Sequence, residues 1–174
     1  GYFDSRARLN PPLRQQTDRD ALRQGLADGT IDALVSDHTP VDADSKTLPF
    51  ANSEPGATGL ELLLSLVLKW QKDKSANHMT LSKALATVTH QAAQVLVSAM
   101  QNTPAKSMTG LGELKVGGVA DICVFNADAQ WLVNADALHS QGKHTPFSGY
   151  ELPGRVRTTL VAGQIVYEDK TSSN

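Results

Sequence analysis

A chain of 174 residues with 40% hydrophobic and 20% charged content has the composition of an ordinary globular protein, long enough for one medium domain or a domain with an appendage. Its formal net charge of -2 leaves no basic field for nucleic acid or anionic lipid, which disfavours both as partners. No run reaches the roughly 18 apolar residues of a membrane span, and the single cysteine, Cys123, excludes an internal disulfide framework and suits a reducing, cytoplasmic setting.

No signal peptide opens the chain, which starts at Gly1; a fragment, a cleaved product and tag removal all fit such a start. Residues 1–16 contain Asn10-Pro11-Pro12-Leu13-Arg14, a rigid loop, because each proline removes a donor and holds the preceding residue extended. Residues 17–26 predict a short helix with Thr17 or Asp18 as N-cap, Leu22 and Leu26 on one face and Gly29 as its stop. Residues 31–36 predict a buried parallel strand, with Asp37-His38-Thr39-Pro40 at its C-terminal end. A long irregular loop follows over residues 41–57, of a length that often carries function. The stripe of Leu60, Leu63, Leu64, Val67 and Leu68 predicts a helix over 58–70. Further helices are expected over 81–88 and 91–99. Thr80 stands at the N-cap of the first of these, although Lys83 occupies the place where a capping box has Glu or Gln.

After Met100 glycines become frequent and short apolar runs predict strands at 120–125, 131–133, 158–161 and 164–167. Ala162-Gly163 reads as a tight hairpin turn between the last two. Cys123 lies inside the first run, where a buried, inert thiol is expected. Residues 169–174 predict a polar, frayed tail.

Strand, loop and amphipathic helix make a βα unit, and a parallel α/β barrel sets its chemistry at the C-terminal ends of strands, where Asp37 stands. A carboxylate there can ligate a divalent metal and take a proton from metal-bound water. Taken alone, the tetrapeptide fits a turn aspartate bonded to its own backbone more often. His38 fits either a polar neighbour of such a site or a packing residue. His78, His90, His139 and His144 form no i, i+4 pair and no cluster with cysteine, so these residues build no complete metal site. Neither a Gly-x-Ser-x-Gly elbow nor a phosphate loop occurs.

The ordered set of motifs is more specific than any one of them. Asn10-Pro11-Pro12-Leu13-Arg14, Thr17-Asp18-Arg19-Asp20, Ser36-Asp37-His38-Thr39-Pro40 and Pro55-Gly56-Ala57-Thr58-Gly59-Leu60-Glu61 resemble the C-terminal motifs of type I dihydroorotases. Gly118-Val119-Ala120-Asp121-Ile122 and Lys143-His144-Thr145-Pro146-Phe147-Ser148-Gly149 resemble the β segment appended to that family. The resemblance covers essentially the whole chain. It implies an α/β fold class: the C-terminal part of a (β/α)8 amidohydrolase barrel over residues 1–109 and a small β-sandwich segment over residues 110–174. It also implies a zinc-dependent cyclic-amide hydrolase that interconverts N-carbamoyl-L-aspartate and dihydroorotate in pyrimidine biosynthesis. Asp37 matches the aspartate that ligates zinc and carries the proton. Asn10 matches a substrate-contacting asparagine, and Pro55 and Gly56 match a substrate-loop pair. The remaining ligands (a His-x-His pair, a bridging lysine and two further histidines) are expected from the rest of the dihydroorotase chain.

Two positions depart from the pattern. Active members read Asp-His-Ala-Pro-His, and Val41 stands where the last histidine contacts the substrate carboxylate; losing such a charge-assisted contact costs roughly 1.5–3 kcal/mol. Pro55 stands where the family has Phe. Lys46 and backbone amides near Gly56 are then the candidates to hold that carboxylate, with Lys46 expected to be simply solvated. The departures also suit a catalytically silent dihydroorotase-like subunit that scaffolds aspartate carbamoyltransferase. A hydantoinase or allantoinase is a weaker third reading, because Asn10-Pro11-Pro12-Leu13-Arg14 is more like dihydroorotases.

Overall fold

Leucine spacing builds the first half of the molecule. The computed structural model describes residues 3–73, 79–100 and 110–170. Helix α1 spans Gln16–Asp28 and ends at Gly29 in the left-handed conformation, as expected. Its start lies earlier than the expected Thr17 or Asp18: Gln15 is the N-cap, and its N–H donates to Asp18 Oδ2 at 3.1 Å, so Asp18 serves from inside the first turn. Helix α2 spans Leu63–Lys72 and is entered through a 3-10 turn at Leu60–Leu62. Helix α3 is Leu81–Ala86, where the Thr80 hydroxyl accepts the Lys83 N–H at 3.2 Å; one hydroxyl caps the helix without a reciprocal acid. Helix α4 is His90–Ala99.

The expected parallel strand over residues 31–36 does not form. Ile31 N–H donates to Gly25 O at 2.9 Å and Leu34 N–H to Thr87 O at 3.0 Å, so this stretch docks on helix ends. Ile31 and Leu34 do pack on the core, but Val35 is 72% exposed. A strand exists only with a ladder partner, and no described segment runs beside this one.

The second half forms an antiparallel sheet in the order β1-β2-β3, with β1 at Ile122–Leu132, β2 at Glu151–Val161 and β3 at Gln164–Glu168. The runs expected at 120–125 and 131–133 belong to the single strand β1. Its register slips between Asn126 and Gln130, where Asn126 Oδ1 accepts the N–H groups of Asp128 and Ala129 and stands in for the ladder. The hairpin turn falls at Ala162 and Gly163 as expected, both with positive φ (50° and 80°), the backbone of a type I′ turn. Asp121, from the Ala-Asp-Ile motif, accepts the Ala162 N–H at 2.8 Å and anchors that turn. Cys123 is exposed on β1 rather than buried, because its side of the strand carries no covering layer; partial desolvation still pushes its thiol pKa up. Among the described residues β3 pairs only with β2, and it is exposed along its whole length. Among the described residues no second sheet faces this one.

Helix α2 lies between two cores. One face packs Val67 with Leu26, Met79 and Ala84 of the helical half. Beside it, Leu62 packs with Val133, Leu138 and Leu152 of the sheet half. Val67, Leu68, Leu62 and Leu152 are fully buried, each stabilising the fold by roughly 1.5–3 kcal/mol. Ser65 Oγ accepts Trp131 Nε1–H at 3.0 Å and donates to Gly154 O at 3.0 Å, fastening α2 to both β1 and β2. The expected domain boundary at 109/110 falls at the edge of residues 101–109, which lie outside the described residues, as does His78. Among the described residues no helix is long and apolar enough to cross a membrane.

Candidate active site

The three segments that the motifs single out lie side by side, joined through their main chains. Gly56 N–H donates to Arg8 O at 3.1 Å, which brings the Pro55-Gly56 turn against the segment leading into Asn10. Thr39 N–H donates to Ala57 O at 3.1 Å, which brings the Asp37 loop against the same turn. Gly56 is required by this packing. Its φ is 147°, and a Cβ would lie 2.4 Å from Thr39 O and 2.9 Å from Val41 Cγ1. Asp37, Asn10 and Pro55 are exposed, so their side chains are open to solvent. Asp37 takes a left-handed backbone (φ 44°), a conformation aspartate tolerates better than most residues.

His38 is bonded to the backbone ahead of α2. Its Nδ1 accepts N–H groups from Gly59 at 3.2 Å and Leu60 at 3.3 Å, which places the proton on Nε2 and fixes the ring on the turn before α2. Val41 is buried at 9% exposure under the Gly56 turn. Lys46 is not solvated. It is 6% exposed, and its Nζ donates to Arg8 O at 2.9 Å and Glu54 O at 2.6 Å. Burial pushes its pKa below the usual lysine value, with Arg8 adding to the effect. Of the candidates for the substrate carboxylate, Lys46 and, among the amides near Gly56, that of Gly56 itself are therefore engaged with protein carbonyls.

Sequence reasoning missed the contacts that tie these segments to the second half of the chain. Glu61 accepts the N–H groups of His139 and Ser140, each at 2.9 Å. Thr58 N–H donates to His144 O at 2.7 Å, and His144 Nε2 donates to Arg6 O at 2.8 Å. Thr58, Glu61 and His144 were visible within the motifs, but the pairing of distant loops was not. Lys46 was named as a carboxylate holder, but its burial left no signal, since a lone lysine in a polar loop reads as solvated.

Among the described residues no group of three or more His, Cys, Asp or Glu is arranged to hold a metal ion, and Asp37 alone does not make a zinc site. A cleft of about 670 Å³ lies elsewhere, between α2 and the sheet, lined by Ser65, Trp131, His139 and Tyr167 among others. It includes none of Asn10, Asp37, Pro55 or Gly56, and its wall is mainly apolar, so the candidate chemistry is not there.

The chain is 40% identical over 95% of its length to proteins named dihydroorotase from Citrifermentans bemidjiense and Geobacter sp. strain M21, and to a dihydroorotase-like protein of Pseudomonas aeruginosa. It spans 36% of the length of each of them. No family model matches it. Among solved structures it superposes on a D-hydantoinase with a TM-score of 0.76 at 22% identity, covering 95% of this chain and 34% of that one. An L-hydantoinase (dihydropyrimidinase) from Arthrobacter aurescens gives 0.76 at 26% identity, covering 92% and 34%.

Proposed function

We propose, for a chain homologous to dihydroorotases across 95% of its length, that the parent protein is a zinc-dependent dihydroorotase of pyrimidine biosynthesis and that these residues are its C-terminal portion. Residues 1–109 then complete a (β/α)8 barrel and residues 110–174 a β-sandwich segment, in a cytoplasmic enzyme. One observation carries the reading: main-chain bonds from Gly56 N–H to Arg8 O and from Thr39 N–H to Ala57 O tie the Asn10, Pro55-Gly56 and Asp37 segments together. Ring opening needs a group that takes a proton from the attacking water and returns it to the ring nitrogen as the C–N bond breaks. Asp37, exposed to solvent in its irregular segment, suits that role. Asn10 and the Pro55-Gly56 turn supply contacts to the substrate. Bound zinc would lower the pKa of water; Asp37 offers it one carboxylate, and the rest of the parent chain must offer the others. With Val41 apolar and buried, and Lys46 and the Gly56 N–H bonded to protein carbonyls, the substrate carboxylate's partner is, on this reading, to be sought among neighbouring amides or in the rest of the parent chain.

The test is dihydroorotate hydrolysis by the purified full-length protein and its Asp37→Asn variant. Wild type should turn over, and the variant should lose about 10²–10⁴ in kcat, the range for a missing proton carrier. A folded, zinc-loaded wild type without turnover overturns the reading and leaves a non-catalytic role.

A further inference from the structure

The Lys46 ammonium lies at the meeting point of two segments that the proposed reaction needs. It donates to the carbonyl of Arg8, two residues before Asn10, and to that of Glu54, next to Pro55. Arg8 O accepts a second bond from Gly56 N–H at 3.1 Å, so one carbonyl oxygen serves both ties. From the other side, Ser5 Oγ donates to the carbonyl of Lys46 at 2.5 Å. At 6% exposure the charge has left water, and a buried ammonium is tolerated only where acceptors replace its hydration. A hydrophobic residue would fill the space without that cost, so the ammonium is explained by what it holds.

We infer that Lys46 is a positioning residue, whose buried ammonium clamps the segment carrying Asn10 to the turn carrying Pro55 and Gly56 and so keeps the two substrate contacts in register. The substrate part of this inference rests on the dihydroorotase reading, whereas the clamp itself does not. In the full-length protein, Lys46→Met should raise KM for dihydroorotate about tenfold and leave kcat within about threefold, the pattern of lost binding rather than lost chemistry. Amide exchange at Gly56 should accelerate while Val67 and Leu68 stay protected. Ser5→Ala, which leaves the hydrophobic core untouched, should shift KM and Gly56 exchange in the same direction by less.

Unchanged Gly56 protection in Lys46→Met, or a fall in kcat with KM unmoved, overturns the inference. If Lys46→Met does not fold, Ser5→Ala decides, and wild-type Gly56 exchange in that variant overturns it. If wild type shows no turnover, the dihydroorotase reading falls and Gly56 exchange alone judges the clamp.

Discussion

His144 links the sheet half to the N-terminal segment by donating from Nε2 to Arg6 O, and burial pushes its pKa below the usual histidine value, outweighing the hydrogen bond that favours its charged form. The unfolded chain takes up a proton near the ordinary pKa of about 6.5, and the folded chain resists it. The stabilisation is therefore full above that value and is lost as pH falls through the lower folded pKa. Urea midpoints measured from about pH 7.5 down to pH 5 should decline, and His144→Gln should flatten the decline. An identical slope in the variant would contradict this role. At this scale the sequence was half legible. Gly56 and Thr58 stand out as motif members, yet what fixes them is contact with Thr39, Val41 and Gly142, from 15 to 84 positions away. Lys46 was misjudged for the same reason: its acceptors are carbonyls, which no residue type announces.

Ser65 shows how an element is held. Its hydroxyl is buried and serves both Trp131 Nε1–H and Gly154 O, so Ser65→Ala strands a donor and an acceptor in the interior. The loss should be about 1–3 kcal/mol, read by denaturant unfolding, and Trp131 fluorescence should report a wetter indole. A variant as stable as wild type would show that water replaces the hydroxyl. Helices, the Ala162-Gly163 turn and the hairpin strands were legible because each is decided by local spacing or local φ. The stretch 31–36 was not. Its apolar run is genuine and Ile31 and Leu34 reach the core, but a strand is a relation between two segments, and among the described residues none pairs with this one. The slip inside β1 was equally hidden, since it depends on Asn126 folding back on its own backbone.

At the scale of the molecule, the proposed zinc site finds one exposed carboxylate, Asp37, among the described residues, where a metal centre needs three or four donors. The 174-residue chain, purified alone and dialysed, should therefore retain only substoichiometric zinc by elemental analysis and show no hydrolysis of dihydroorotate. Tight zinc at one ion per chain would mean that Asp37 has partners the present geometry does not supply.

The free side of β3 has a practical cost. Ile165 and Val166 are each 60% exposed, no described segment pairs with the main chain on their outer side, and Glu168 is the strand's one charged deterrent. Such an edge accepts whichever extended segment arrives first, and in a concentrated sample that is another copy of itself. The chain prepared alone should thus have a low concentration ceiling, with light scattering that climbs steeply with protein and Val166→Lys raising the ceiling. Shelf life, rather than unfolding temperature, would then be what limits handling of the chain.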